Sequence, residues 1–210
     1  MNESAPASRL REQPRTRRAR SAVIAAARAR FLAHGYTATS IAEISADAAV
    51  APATVYRLFG GKVGILKAVL DVAIAGDEAS TPVAARPAVR AAVAATRGED
   101  VITGFVGVTA AINGRIAALY RVLTQAADAD GEARSLLETL NAQRGRGQAL
   151  LVDALVSGHV LRSGLAAERA ADVVHALMSP ELFRSLVGER GWTPDAYADW
   201  LTRTLCDQLL

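Results

Sequence analysis

Residues 40–59 read Ser-Ile-Ala-Glu-Ile-Ser-Ala-Asp-Ala-Ala-Val-Ala-Pro-Ala-Thr-Val-Tyr-Arg-Leu-Phe, and this stretch decides the fold. Thr39 or Ser40 is the N-cap of a short helix over about 40–47 that turns Ile41 and Ile44 inward. Ala48-Ala49-Val50 has room only for a turn. Pro52 opens a second helix, because a first-turn residue needs no N–H, and the Gly60-Gly61 pair closes it. Two short helices joined this way form a helix-turn-helix, whose first helix crosses the phosphate backbone while the second enters the major groove. Ile41, Ile44, Ala48, Val50, Val55 and Phe59 supply its small core, leaving Ala51, Pro52, Ala53, Thr54, Tyr56 and Arg57 facing outward. Arginine pairs bidentately with guanine, and threonine meets a thymine methyl or a phosphate. No acid lies between Ala48 and Lys67 to repel DNA.

Outward from this unit the chain is helical throughout. Alanine fills about a fifth of it, and apolar residues recur at helical rather than alternating spacing, so the fold class is all-α. A helix over about Arg15–Ala33 precedes the motif, with Val23, Ile24, Ala27 and Phe31 on one face and Gly35 as its stop. Another begins near Lys62, with Ile65, Leu66, Val69, Leu70 and Ala73 as its stripe. Asp77–Pro87 reads as a loop. Beyond it come helices over about Pro87–Ala95, Asp100–Ile112, Ile116–Ala129, Glu132–Val156, Ala166–Met178, Pro180–Val187 and Pro194–Leu209. Gly145 and Gly147 mark a kink, a close helix contact or a break. The division is a basic arm over 1–14, a helix-turn-helix domain over 15–61, a connecting helix over 62–76 and a larger helical domain over 77–210.

The 210 residues carry a net charge of +3, are 51% hydrophobic and 5% aromatic, and include a single cysteine. These figures exclude collagen-like, disordered and disulfide-scaffold chains. Cys206 has no intramolecular disulfide partner, and with no signal-peptide pattern and no charge-free apolar run of membrane-spanning length the expectation is a soluble cytoplasmic protein. The net charge hides an asymmetry. Residues 1–67 carry +7 and residues 68–210 carry −4, so the basic third is either a polyanion-binding region or a solvated charged surface.

Two longer patterns resemble a known family. Ile24-x-x-Ala27-x-x-x-Phe31-x-x-x-Gly35-Tyr36-x-Ala38-Thr39-Ser40-Ile41-x-x-Ile44, followed by Val50-x-x-x-Thr54-Val55-Tyr56-Arg57-Leu58-Phe59-x-x-Lys62, resembles the DNA-binding domain of the tetracycline-repressor (TetR) family. Residues 171–183 and Gly191-Trp192-Thr193-Pro194-Asp195-x-Tyr197-x-x-Trp200-Leu201 are similar to a C-terminal type common among such regulators. The resemblance implies that Tyr56 and Lys62 hold phosphates, that Thr39 or Ser40 touches the DNA backbone, and that Ala51, Pro52, Ala53, Thr54 and Arg57 read or line base edges. This chain departs from the pattern at Ala49, Ala51 and Ala53, where the family usually has glycine, a polar cap and glycine. Ala49 must therefore adopt a positive φ or bend the turn differently.

The resemblance also implies a small-molecule effector and a homodimer built on a four-helix bundle, acting as a repressor on a partly palindromic DNA operator. Candidate effector-lining residues are Phe105, Thr109, Tyr120, Leu123, Gln125 and Met178, and the scarcity of ionisable groups on those apolar faces points to a largely apolar ligand. Tyr197, Trp200, Leu201 and Leu205, with Leu177, Leu182, Phe183 and Leu186, form either a dimer surface or the closure of the monomer core. His34, His159 and His175 lack companions at ligand spacing, so no metal is expected. No nucleophile elbow, phosphate loop or dinucleotide fingerprint is present, so neither catalysis nor a cofactor is expected. The rival readings are a ligand-independent architectural DNA-binding protein and a protein-interaction module.

Overall fold

The computed structural model describes residues 14–76 and 81–210, and every regular element among them is helical. The order is α1 (Pro14–His34), α2 (Ile41–Ala48), α3 (Pro52–Phe59), α4 (Lys62–Ala75), α5 (Pro87–Val93), α6 (Gly98–Ala129), α7 (Gly131–Ser157), α8 (Ala167–Leu177), α9 (Pro180–Phe183) and α10 (Pro194–Leu209). A single 3-10 turn over Val83–Ala85 leads into α5, and α9 runs on into a π-helical turn over Arg184–Glu189. Arg9 and Arg11 of the expected arm lie outside the described residues.

One division of the sequence reading differs in the structure. The helices expected over 100–112 and 116–129 are one, α6, which runs straight through Asn113-Gly114. Asn113 is buried, and its amide donates to the carbonyls of Met178 and Ser179 at 3.3 and 3.4 Å, so it satisfies the end of α8 instead of breaking its own helix. The helix α7 is likewise continuous through Gly145 and Gly147. A Cβ on Gly145 would meet only His175 Nδ1 at 3.9 Å, and one on Gly147 would meet nothing, so neither glycine is demanded by a close approach.

An 18-residue window of α6, interrupted by Arg115 and so not free of charge, is long and apolar enough to cross a membrane. A third of that window is buried, and α6 runs through both hydrophobic cores of the described residues. One core joins Val101, Ile102, Phe105 and Val106 of α6 to Leu151 and Leu155 of α7, Val174 of α8 and the α10 stripe Tyr197, Leu201, Leu205 and Leu209. The other joins Val23, Ala27 and Phe31 of α1, Ile44, Val55, and Leu66, Val69 and Leu70 of α4 to Leu119, Leu123 and Ala126 of α6 and to Ala133 and Leu136 of α7. The corner between α6 and α7 is therefore packed in the same core as the helix-turn-helix.

Polar contacts fix the far end of α4 to this body. Arg115 of α6 donates through Nε and Nη2 to the carbonyls of Ala73 and Ile74 at 2.8 and 3.1 Å, and Arg86 donates to Ala75 O at 2.8 Å. These carbonyls have no partner within their own helix, and cations suit the negative end of its dipole.

A second polar cluster joins α7 to α8. Arg144 donates to His175 O at 2.8 Å and to His175 Nε2 at 2.7 Å. A guanidinium has no acceptor, so Nε2 must accept, and the proton sits on Nδ1 facing Gln148 Oε1 at 3.0 Å. Burial first, and the Arg144 charge second, lower the pKa of His175, against weaker opposing effects of Glu181 and Asp172. The unfolded chain takes up this proton near pH 6.5, while the folded one resists until lower pH. Stability from His175 is thus complete above about pH 6.5 and is lost as pH falls through the interval below it. The urea midpoint is expected to drop between about pH 7 and about pH 5, and His175→Gln to flatten that part of the profile.

Candidate nucleic-acid interface

The helix-turn-helix is assembled from local signals. Ser40, extended at φ −105° and ψ 156°, caps α2 by accepting from the Glu43 N–H at 3.2 Å, while its own N–H donates to Glu43 Oε2 at 2.8 Å. Ala49 ends the helix in the left-handed region at φ 50° and ψ 40°. Of the two turn geometries left open by its sequence, the positive φ is the one adopted. Pro52 is the first residue of α3, and Ala51 before it makes no side-chain cap.

The outward face of α3 carries the residues assigned to it. Ala51, Pro52, Ala53, Tyr56 and Arg57 are exposed, Thr54 is half-buried, and Val55 is fully buried beneath them. Tyr56 is 54% exposed on this face and does not cap the small core. Arg20 of α1 stands over the Phe59 ring at 5.0 Å and holds the end of α3. The acids of α2 are answered from α1: Arg30 pairs with Glu43 at 3.0 Å and bidentately with Asp47. Hydrogen bonds from Ser40 and Arg30 respectively, each the leading cause, hold the Glu43 and Asp47 carboxyls below the ordinary range. Both acids stay ionised and paired, so the face beside α3 presents no unpaired carboxylate from α2.

Two assigned phosphate contacts point elsewhere. Thr39 is buried, and its hydroxyl donates to Gly35 O at 2.8 Å, which leaves Ser40 as the exposed one of the pair. Lys62 turns inward: its ammonium donates to Tyr36 O and Thr39 O, each at 3.0 Å, and lies 4.1 Å from the centre of the Tyr36 ring. It brackets the loop between α1 and α2 to the start of α4. Lys62→Ala is accordingly expected to cost about 1–2 kcal/mol of stability through lost charged hydrogen bonds. The slope of DNA affinity against salt is expected to stay unchanged, where a phosphate contact would reduce it by about one. Urea unfolding and a salt titration of binding check the two halves of this prediction.

Sequence reasoning missed Gly64, whose Cβ, if present, would sit 1.8 Å from Phe59 O. The glycine lets the first turn of α4 close against the end of α3, a demand that is non-local and leaves no mark in the local pattern.

The residues grouped as effector-lining are not brought together. Phe105 and Met178 are buried in the core away from the head, Leu123 is buried in the core shared with it, and Gln125 is exposed. Eighteen residues of helix separate Phe105 from Leu123, about 27 Å of rise, too far for one small ligand. Thr109 is half-buried, and Tyr120 is buried with its hydroxyl donating to Asn141 at 2.6 Å. The residues grouped as a dimer surface also divide. Phe183, Tyr197, Leu201 and Leu205 are buried within the chain's own core, since positions four apart along α10 all face α6 and α8. Leu177, Leu182, Leu186 and Trp200 remain half-buried. Trp200 meets Trp192 edge to face at 5.8 Å and lines an open groove with Ala196 and Arg203.

A helix-turn-helix with an outward, acid-free second helix, carried on a larger helical body, defines the fold class of helix-turn-helix proteins. Residues 23–69 match the family model described as bacterial regulatory proteins, tetR family. The helix-turn-helix of this chain is thus similar to the DNA-binding domain of tetR-family regulators. No curated protein sequence matches it. Among solved structures, native NalD of Pseudomonas aeruginosa, the secondary repressor of the MexAB-OprM multidrug efflux pump, is similar at TM-score 0.70 and 20% identity, over 93% of this chain and 98% of that one. FadR of Bacillus subtilis, in complex with stearoyl-CoA, is similar at TM-score 0.69 and 14% identity, over 90% of this chain and 99% of that one. A putative TetR-family regulator from Rhodococcus sp. is similar at TM-score 0.70 and 15% identity, over 92% and 100%. At these identities the likeness concerns the fold.

Proposed function

We propose that the chain is a ligand-responsive transcriptional repressor that binds a partly palindromic operator in the cytoplasm as a homodimer. The observation that carries this reading is the face of α3. Arg57 and Tyr56 project from a helix whose buried side, Val55, is locked in a core continuous with the body. In this reading Arg57 reads a base edge, Thr54 and the small residues Ala51, Pro52 and Ala53 fit the groove floor, and Tyr56 with Ser40 holds phosphates. The half-buried apolar residues Leu177, Leu182, Leu186 and Trp200 form the two-fold interface. Two recognition helices then meet successive major grooves, about 34 Å apart.

Release follows from linkage. An effector that prefers the body conformation in which the two α3 helices are misplaced weakens DNA binding by its differential affinity for the two states. The helix α4 is the connector, since its start is bracketed to the head by Lys62 and its end to α6 by Arg115. FadR, a protein of this fold, is in complex with stearoyl-CoA, whose acyl chain is long and apolar although its coenzyme A part is charged; this supports an effector with a large apolar part here. The test is footprinting on sheared chromosomal DNA with and without a panel of long-chain acyl compounds and apolar aromatics. Protection of two half-sites that one compound abolishes is the expected result. Protection that no compound changes favours the ligand-independent architectural reading, and absence of protection overturns both.

A further inference from the structure

The turn between the two long body helices is hydrogen-bonded directly into the DNA-binding head. Asp130 is the N-cap of α7, and its Oδ1 accepts from the Glu132 and Ala133 N–H groups at 2.9 and 3.2 Å. Its Oδ2 accepts from the Tyr36 hydroxyl at 2.8 Å. Tyr36 is a buried residue of the loop between α1 and α2, with its ring stacked on Phe31 at 5.9 Å. Its backbone carbonyl and its ring are both held by Lys62, the first residue of α4, which also holds Thr39 O immediately before the N-cap of α2. One carboxylate thus stands where the end of α6, the start of α7, the start of α2 and the start of α4 converge.

The other polar ties, from Arg115 and Arg86, hold the far end of α4, remote from α3, and the remaining contact in this core is apolar, with Leu66, Val69 and Leu70 of α4 and Leu119, Val122 and Leu123 of α6. Apolar burial is non-directional and fixes no angle by itself. A hydrogen bond to a carboxylate is directional and among the stronger kinds. We infer that the Tyr36–Asp130 hydrogen bond pins the angle of the head on the body, making Tyr36 and Asp130 positioning residues that set which spacing between half-sites the protein accepts. Neither residue touches DNA. If each α3 of a dimer moves by about 1.7 Å, their separation changes by about 3.4 Å, one base-pair step. Small rotations at the pin therefore decide between adjacent spacings. The inference rests on the dimeric reading above.

The test uses Tyr36→Phe, which keeps the ring and its neighbours, and Asp130→Ser, which keeps a good N-cap for α7 but is too short to reach the phenol. Each full-length variant is titrated against three duplexes carrying the parent's preferred half-sites, at the preferred spacing and at one base pair more and one fewer. The parent is expected to prefer one spacing, and each variant to lose that preference by about tenfold, the scale of one hydrogen bond to a charged group. The double variant is expected to lose no more than either single one, because both remove the same bond. Equal loss at all three spacings, or an unchanged preference, overturns the pin and leaves the dimer standing. A parent that binds single half-sites with no spacing preference overturns the dimeric reading, and the pin with it.

Discussion

Gly64→Ala is expected to lower stability by about 2–3 kcal/mol and to abolish specific DNA binding. The added Cβ would lie 1.8 Å from Phe59 O and 3.0 Å from Phe59 C, both backbone atoms that no rotamer change can move aside. The end of α3 must shift against the start of α4, and overpacking of this kind costs about 1–3 kcal/mol, here at its upper end because backbone meets Cβ. Helix propensity returns about 1 kcal/mol, since alanine is the better helix former, and does not reverse the sign. Gly61→Ala is the matched control: a Cβ there meets nothing within 4 Å, and the residue is extended at φ 179°. Its expected effect is within about 0.5 kcal/mol, as for substitutions away from special features. Urea unfolding of the three proteins under one buffer gives both numbers.

Arg57→Ala is expected to remove discrimination at one base position in each half-site, at about 1–3 kcal/mol per position, while stability stays unchanged. Arg57 is exposed on α3, so its loss leaves no cavity and no buried group unsatisfied. Binding to unrelated DNA is expected to weaken only by the one charge removed per chain, which a salt titration reads as a slightly smaller slope. A uniform loss across all sequences would instead make Arg57 a phosphate contact.

The head was legible in sequence because its signals are local. Thr39-Ser40 offers an N-cap, Pro52 marks a first turn, Gly60-Gly61 marks a stop, and the inward place of Val55 among exposed neighbours follows from helical period. The inward turn of Lys62 was not legible, because its acceptors are the carbonyls of Tyr36 and Thr39, which any residue carries. Periodicity showed that Tyr197, Leu201 and Leu205 share a face but not what covers it, and the cover is the chain's own α6 and α8. Asn113-Gly114 reads locally as a break, yet Asn113 is spent on the end of α8, 65 residues away. Phe105 and Leu123 share a helix but belong to different cores, which composition along α6 cannot distinguish.

The most direct test of the central claim is selection of the purified parent protein on a random pool of duplex DNA at physiological salt, with sequencing of the retained fraction. Two inverted half-sites at one fixed spacing are predicted, with centres about one helical turn apart. Retention of all sequences alike, abolished by raising the salt, would contradict it.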